Sequence, residues 1–223
     1  VRTRVHDEQR LILALDYGGT KHTAGLAAVG GREWLAHDRV YSPPGADAAY
    51  DLATTFRMAR SLVTRAQGQL AALGVSFGGP VNANLGLVRL SHHVPGWEET
   101  PLRDLLQSEF GVPAAVDNDA NVAALGEWTY GAGQGCSSLL YITVSTGIGG
   151  GWVLNGQVYT GADGMAGEIG HIVVRPNGAP CVCGKRGCLE VEACGAAIAR
   201  RYAASYAGAH KQQERLGAAA AVS

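Results

Sequence analysis

Residues 10–29 read RLILALDYGGTKHTAGLAAV, and this stretch decides the fold. Its apolar run ends in Asp16 and is followed at once by the pair Gly18-Gly19, which predicts a buried strand running into a tight turn. A second strand is predicted over residues 22–29 and a third over residues 34–41. Three consecutive short strands indicate an antiparallel meander at the head of the chain.

Beyond this meander, helices and strands alternate. Apolar residues at helical spacing predict a helix from Tyr50 to Ala66, with Asp47 as its N-cap. The later predictions are a strand to Phe77, a helix over 102–110 capped by Thr100, a strand over 112–116, a helix over 118–130, a second meander from Leu139 with a hairpin turn at Asn155-Gly156, and a helix over 189–207. The repeated plan of strands, glycine turns and helices predicts an α/β fold in two related halves with a boundary near residue 115.

Composition narrows the class of protein. The 223 residues are 47% hydrophobic and 17% charged, with a formal net charge of -1, the balance of a globular chain. No basic run marks a nucleic-acid-binding surface. No apolar run approaches the roughly 18 residues of a membrane span, and the polar N-terminus is unlike a secretory signal. We therefore expect a cytoplasmic protein with neither nucleic acid nor membrane as a partner.

The turn after the first strand, Asp16-Tyr-Gly-Gly-Thr-Lys21, has the composition of a phosphate-binding loop. Backbone amides beside glycine can approach phosphate oxygens because no Cβ intervenes. A hydroxyl and a positive charge follow, and the carboxylate could hold a hydrated Mg²⁺. The candidate nucleotide-binding residues here are Asp16, Gly18, Gly19, Thr20 and Lys21. The alternative is an ordinary hairpin with a Gly-Gly turn.

A second loop of the same type spans residues 143–151, TVSTGIGGG. Four glycines in nine positions are costly to order unless the backbone must be approached closely. Thr146 and Gly147 are its candidate nucleotide-binding residues. Two such loops, each at the head of a meander, predict that both loops bind the same polyphosphate. No Gly-Lys-Ser/Thr follows, so this is not a Walker A loop.

Asp117-Asn118-Asp119 stands at a predicted helix start. The simple interpretation is an N-cap, since a helix N-terminus stabilises negative charge. One carboxylate is sufficient for capping. The other could accept a proton from a substrate hydroxyl during phosphoryl transfer.

His171, Cys181, Cys183 and Cys188 provide one imidazole and three thiols within a short span. This set matches a closed, structural Cys₃His zinc site. The alternative is three buried free cysteines and an unrelated histidine, but the glycines and proline around them indicate a tight polar loop. The remaining cysteines, Cys136 and Cys194, are expected to be packed small residues.

The other histidines give no predicted site. Adjacent residues rarely face one ion, so the pair His92-His93 is not expected to bind a metal. Four histidines without partners in sequence are expected at the surface: His6, His22, His37 and His210.

Seven segments together resemble the ROK family of bacterial sugar kinases and sugar-responsive repressors. They are residues 16–21 (DYGGTK), 78–80 (GGP), 95–97 (PGW), 118–127 (NDANVAALGE), 143–151, 161–171 (GADGMAGEIGH) and 181–190 (CVCGKRGCLE). They follow the family order from residue 10 to about residue 205, and the last two are the most specific.

The resemblance implies an actin-like ATPase (ribonuclease H-like) fold, with two α/β lobes, 1–115 and 116–223, and a central cleft. It implies ATP with Mg²⁺ held by both glycine loops and a hexose in the cleft. Asp119 is similar to the general base that takes the proton of the sugar 6-hydroxyl. The residues similar to sugar contacts are Gly79, Asn118, Asp119, Glu168, His171 and Glu190. The Glu168-Ile-Gly-His171 form resembles the glucokinases of the family, which are commonly dimers or tetramers.

One departure from the family concerns the end of the chain. Family members continue with a Gly-rich adenine-binding segment and a final helix, so the second lobe is expected to be truncated at Ser223. The leading hypothesis is an ATP-dependent kinase of a hexose, with glucose as the expected substrate. The alternatives are a sugar-sensing regulator, for which the ten residues before Leu11 are too few to form a helix-turn-helix, and a catalytically silent sugar-binding fragment.

Overall fold

The computed structural model describes residues 9–91, 93–162 and 164–206. The described residues up to Val122 form one compact unit, and those from Ala123 onward form a second. Within these described ranges, no helix is long and apolar enough to cross a membrane.

The first unit is built on a five-stranded sheet. Its elements in chain order are β1 (Arg10–Tyr17), β2 (Lys21–Ala28), β3 (Trp34–Tyr41), α1 (Ala48–Arg65), β4 (Gln69–Phe77), β5 (Val81–Asn82), β6 (Leu87–Val88), α2 (Leu102–Phe110), β7 (Ala114–Asn118) and the start of α3 (Asp119–Tyr130). The strand order is β3-β2-β1-β4-β7. The first three strands form the predicted antiparallel meander, and β4 and β7 continue the sheet parallel to β1.

The core of this unit follows from the alternation in β1. Leu11, Leu13, Leu15 and Tyr17 occupy every second position and are at most 2% exposed. They pack with buried side chains of α1, α2 and β4 in one apolar cluster. Helix α1 begins as predicted, since the Asp47 carboxylate accepts from the Tyr50 backbone N–H at 2.9 Å.

The start of α2 differs from the prediction. Thr100 is not its cap, and the helix begins after Pro101 without a side-chain capping bond. The Thr100 backbone instead pairs with Val88, through N–H···O distances of 2.9 and 3.0 Å. This pairing holds Thr100 in a β-bridge and so removes it from the capping position.

The second unit contains a smaller sheet. Its strands are β8 (Ser138–Val144), β9 (Ile148–Leu154) and β10 (Gln157–Tyr159), in the antiparallel order β10-β9-β8. The hairpin turn at Asn155-Gly156 is confirmed, with φ of 50° and 80°. A 3₁₀ turn (Ile169–His171) and the short helix α4 (Leu189–Ala193) follow.

The predicted helix over 189–207 is interrupted. Cys194 is extended, with φ -66° and ψ 167°, and residues 195–206 are helical again, while Ala207 lies outside the described residues. The Gly195 N–H donates to the Ser145 carbonyl at 2.8 Å. The interruption therefore gives this amide a partner in the second glycine loop.

Two expectations about histidine and cysteine are wrong. His22 is fully buried because it lies on the inner face of β2, whereas His37 is exposed as expected. Cys194 is buried as expected, but Cys136 is exposed, since it follows the turn after α3. His6 and His210 lie outside the described residues.

Candidate functional site

The first group of candidate residues lies where three parallel strands end. Tyr17 of β1 is in register with Phe77 of β4, and Phe77 is in register with Asn118 of β7. The carboxyl ends of parallel strands meet at one edge of a sheet, so Asp16, the Gly78 turn and Asp119 come together there.

Asp119 is the first residue of α3. Its Oδ1 accepts from the Ala120 backbone N–H at 2.8 Å, and its Oδ2 lies 3.9 Å from the point that a Cβ on Gly78 would occupy. Burial raises the pKa of this carboxyl and the Asp16 carboxylate adds to the rise, against the lowering effect of the Ala120 hydrogen bond. The side chain is thus a carboxylate with increased proton affinity at the sheet edge.

Other residues cap this helix. The Asn118 Oδ1 accepts from the backbone N–H groups of Ala120 and Asn121, at 3.0 and 3.4 Å. The Asp117 Oδ1 accepts from the Asn118 N–H at 2.7 Å and from the Asn121 amide at 3.0 Å. Asp119 is therefore not needed as the helix cap, which leaves it available for chemistry.

The Gly78-Gly79 turn is bonded to both neighbouring strand ends. The Gly78 N–H donates to the Tyr17 carbonyl at 2.9 Å, and the Asn118 amide donates to the Gly79 carbonyl at 3.1 Å. Asn118 consequently fixes the Gly79 loop with the same side chain that caps α3.

The first glycine turn is ordered by short-range bonds. The Gly18 N–H donates to the Lys21 carbonyl at 3.1 Å, and the Asp16 Oδ1 accepts from the Ser76 hydroxyl at 2.9 Å. A Cβ on Gly19 would lie 3.0 Å from the Cβ of His93, so a larger residue there would require the exposed His93 to shift. Thr20 and Lys21 are exposed, and His92 lies outside the described residues.

The second glycine loop belongs to the other unit and contacts Glu190. The Ile148 N–H donates to the Glu190 Oε2 at 2.9 Å. A Cβ on Gly147 would collide with that same oxygen, so glycine leaves room for the Glu190 carboxylate in this orientation. Thr146 beside it is exposed. The carboxylate that follows the cysteine loop is thus held at the backbone of the second glycine loop.

The four predicted metal ligands form a cluster. One ligand atom from each of His171, Cys181, Cys183 and Cys188 lies within 4.8 Å of the others. The His171 Nδ1 is 3.4 Å from the Cys181 Sγ, and the Cys183 and Cys188 sulfurs are 3.6 Å apart. A tetrahedral zinc site has edges of about 3.5 Å between N and S and about 3.7 Å between two sulfurs. These two edges therefore have the lengths of a tetrahedral zinc site, and the donor set is one that suits Zn²⁺.

The thiols of this cluster differ in their surroundings. Burial and the neighbouring thiols raise the pKa of Cys188 to about 11. A hydrogen bond from the Lys185 backbone lowers the pKa of Cys183. A bound cation favours the thiolate at every position, so metal binding would offset the free-energy cost of ionising the Cys188 thiol.

His171 carries a second nitrogen away from the cluster. Its Nε2 lies 3.7 Å from the Glu168 Oε2. Gly170 lies so close to the Ile148 carbonyl that a Cβ there would collide, so the 3₁₀ turn packs directly on β9. The Glu168-Ile-Gly-His171 segment therefore presents its two polar side chains from a turn that packs on β9.

Sequence reasoning missed one charged residue of this region. Glu192 on α4 is buried, its Oε1 accepts from the Ala179 N–H at 3.4 Å, and its Oε2 lies 3.5 Å from Arg175 and 2.5 Å from Arg201. It joins the cysteine loop to the helical segment 195–206. A glutamate between the apolar Val191 and Ala193 was the only sequence signal for this role.

The predicted site residues thus fall into two groups. The first unit holds Asp16, Gly18, Gly19, Thr20, Lys21, Gly79, Asn118 and Asp119. The second unit holds Thr146, Gly147, Glu168, His171, Cys181, Cys183, Cys188 and Glu190. Within each group, the contacts described above link neighbouring members.

Known families and proteins give matches over most of the chain. The family model described as the ROK family matches residues 12–220. The glucokinase of Halalkalibacterium halodurans is 47% identical over 137 residues, which are 61% of this chain and 41% of the relative. The glucokinase of Thermotoga maritima is 36% identical over 192 residues, 85% of this chain and 59% of the relative.

A repressor is also among the similar proteins. The putative xylose repressor of a Caldicellulosiruptor species is 42% identical over 124 residues, 56% of this chain and 31% of the relative. The chain spans less than two thirds of the length of each of these three relatives.

Solved structures agree with the fold described above. A ROK hexokinase from Thermus thermophilus superposes with a TM-score of 0.74 at 38% identity, covering 88% of this chain and 64% of the other. A ROK family glucokinase from Streptomyces griseus in complex with glucose and AMPPNP gives 0.73 at 35% identity, covering 91% and 62%. A ROK family transcriptional regulator, a homolog of the E. coli MLC protein, gives 0.80 at 28% identity, covering 88% and 50%. The expected actin-like ATPase fold is confirmed.

Proposed function

The chain belongs to the ROK family, and on this premise we propose that it is the core of an ATP-dependent hexose kinase that phosphorylates the 6-hydroxyl of glucose. The observation that carries the proposal is the environment of the Asp119 carboxylate. Its carboxylate has a raised pKa, stands at the ends of three parallel strands beside Asp16, and is not required as a helix cap.

In the proposed reaction Asp119 is the general base. Its carboxylate accepts the proton of the sugar 6-hydroxyl as that oxygen forms a bond to the γ-phosphorus of ATP, and the bond from this phosphorus to the ADP oxygen breaks. Asn118 and the Gly79 loop, joined by their 3.1 Å hydrogen bond, hold the sugar beside this carboxylate.

The nucleotide is proposed to bind at the two glycine loops. The backbone amide of Gly19 would face phosphate oxygens, with the Lys21 charge and the Thr20 hydroxyl beside it, while Gly18, whose N–H donates to the Lys21 carbonyl, would shape the turn. Asp16, held by the Ser76 hydroxyl, would bind the water shell of Mg²⁺. Thr146 and Gly147 would contribute the second loop.

Three side chains of the second unit are proposed to select the sugar. Glu168, His171 and Glu190 offer two carboxylates and one ring N–H, which suit the hydroxyls of a hexose. Support for glucose in particular comes from the Glu168-Ile-Gly-His171 form and from relatives that are named glucokinases.

We also propose that the Cys₃His cluster holds one structural Zn²⁺. Three thiolates and a neutral imidazole suit zinc in charge and softness. Elemental analysis of protein purified without added metal should give about one zinc per chain. Less than about a third of an equivalent, with all five cysteines freely titratable, would contradict this assignment.

The kinase proposal is tested with the full-length protein, ATP and a panel of hexoses. Glucose should yield glucose 6-phosphate and an equal amount of ADP, detected by mass spectrometry. The matched control is 6-deoxyglucose, which offers the same ring hydroxyls but no 6-hydroxyl, and it should bind without turnover. Glucose binding with no ADP formation above the background would contradict the kinase.

The second candidate is a sugar-sensing transcriptional regulator. It is favoured by the similarity to a putative xylose repressor and to a ROK family regulator of known structure. A regulator should bind glucose or xylose without ATP turnover, and the sugar should change its affinity for operator DNA. The two functions therefore give opposite results in the same turnover assay.

A further inference from the structure

A buried carboxylate lies beneath the first glycine turn. Asp51 of α1 is 1% exposed, yet it faces three polar side chains from three separate segments. Its Oδ1 accepts from the His22 Nε2–H at 2.7 Å and from the Ser42 hydroxyl at 3.2 Å, and its Oδ2 accepts from the Trp97 indole N–H at 3.3 Å.

Such a group is unusual in an apolar core. A buried carboxylate is costly unless hydrogen bonds compensate for the lost water, and these donors supply that compensation. The surroundings are otherwise aromatic, since the Tyr17 ring lies edge-on to the Trp97 ring at 5.4 Å. If position 51 only had to fill space in the core, a leucine would be sufficient. The carboxylate therefore indicates that the residue holds its hydrogen-bond donors in place.

Two of the donors adjoin the first glycine turn. His22 directly follows Lys21, the last residue of the turn. Ser42 follows β3, and its backbone N–H donates to the Thr20 carbonyl at 3.0 Å. Asp51 therefore holds the turn from both the β2 side and the β3 side.

The third donor belongs to the segment 93–97. Trp97 ends this segment, and His93 at its other end lies against Gly19. The Pro95 carbonyl accepts from the Ala48 N–H at 2.9 Å, which joins the segment to the start of α1 as well. One carboxylate thus connects the glycine turn with the segment whose His93 side chain lies against Gly19.

We propose that Asp51 is a positioning residue for the nucleotide. It fixes the distance between the first glycine turn and segment 93–97, and so keeps the Gly19 amide and the rest of the turn in the geometry that receives polyphosphate. This inference rests on the proposed function, because it assigns the phosphate role to that turn. Asp51 itself touches no substrate.

The principal test is Asp51→Asn in the full-length protein. Asparagine keeps the size but turns an amide N–H toward one of the three donors. We expect the KM for MgATP and the dissociation constant of a non-hydrolysable ATP analogue to rise about 10-fold, the effect of one lost hydrogen bond. The dissociation constant of glucose and the zinc content should stay within about twofold of the wild type.

Leu62→Ala is the matched control for stability. Leu62 lies on the same helix and is also buried in the apolar core, but its side chain makes no hydrogen bond to the first glycine turn. It should lower the melting temperature without changing nucleotide affinity. Should Asp51→Asn fail to fold, Trp97→Phe removes the indole N–H together with part of the buried ring and keeps a six-membered aromatic ring, and its nucleotide affinity should fall about threefold or more.

Each outcome decides between the proposals. Unchanged nucleotide affinity in a folded Asp51→Asn or Trp97→Phe variant, with only the melting temperature lowered as in Leu62→Ala, overturns the positioning role. A wild type that binds the nucleotide but does not phosphorylate hexose overturns the proposed function and leaves the binding test of Asp51 intact. A wild type that binds no nucleotide overturns both.

Discussion

The two units hold their candidate residues by different means. In the first, β1 has a neighbouring strand on each edge and buries four of its eight side chains in a large apolar cluster. In the second, within the described residues, β8 pairs only with β9, and Leu140, Ile142 and Val144 on it are 36–54% exposed.

The cores differ in the same way. The apolar cluster described for the second unit consists of Ile148, Cys194 and Ala197, with Leu189 and Ala193 packed against it. Local order there depends more on glycine contacts, on Glu192 and on the metal-ligand cluster. Asp119 should therefore tolerate changes in metal content, whereas Glu168, His171 and Glu190 should not.

The largest expected effect is on catalysis in the first unit. Asp119→Asn should lower kcat by about 10²–10⁴-fold, because the amide keeps the size and hydrogen bonding of the side chain but cannot accept the proton. Glucose binding by calorimetry should be largely retained. Asp104→Asn, an exposed change on α2, is the control and should leave kcat unchanged. A near-wild-type kcat for Asp119→Asn would transfer the base role to Asp117.

The apolar core of the first unit provides the next test. Leu13→Ala should reduce the free energy of unfolding by about 2–5 kcal/mol, because Leu13 is fully buried in β1. Leu35→Ala changes an exposed leucine of the same sheet and should cost less than about 0.5 kcal/mol. Zinc content should remain the same in both variants. Loss of zinc in Leu13→Ala would show that the metal-ligand cluster depends on the apolar core of the first unit.

Metal removal tests the other side of the comparison. Binding of zinc through Nδ1 would fix the direction of the remaining His171 N–H, and Glu190 follows the same loop. Loss of these two contacts to sugar hydroxyls should weaken glucose binding by about 2–4 kcal/mol, or roughly 30- to 1,000-fold. The measurement is calorimetric titration of glucose into holo and gently chelated protein, with circular dichroism confirming that the helices persist. Equal dissociation constants would leave the zinc with a structural role only.

The comparison also separates what sequence reasoning could and could not predict. The first meander was predictable because its alternation and its glycine pair are local signals, and the cysteine cluster because its spacing is short. The burial of His22 was not predictable, since its partner Asp51 is 29 residues away. The break at Cys194 likewise depends on a bond from Gly195 to Ser145, a tertiary contact that helical periodicity does not report.

The smallest expected effect concerns the charge of Asp119. Its pKa is raised in the folded protein above the ordinary value of 3.8, so the native state binds this proton more tightly than the unfolded chain does. At a pH above the raised pKa, the ionised Asp119 carboxylate therefore lowers the free energy of unfolding. At a pH below the ordinary pKa, this loss of stability is absent. Asp119→Asn should accordingly melt about 1–3 °C higher than the wild type at pH 8.

This difference should shrink as the pH falls and disappear below the ordinary pKa of 3.8, where the carboxyl is protonated in both the folded and the unfolded wild type. Thermal melts from pH 8 down to about pH 3 measure it, and Leu35→Ala, which changes no titratable group, should differ from the wild type equally at every pH. The acid limb of kcat/KM in the wild type should report the same raised pKa. A variant that melts lower than the wild type at pH 8, by a margin that grows with pH, would mean that the fold stabilises the ionised carboxylate. Asp119 would then lack the increased proton affinity on which its proposed role as the base rests.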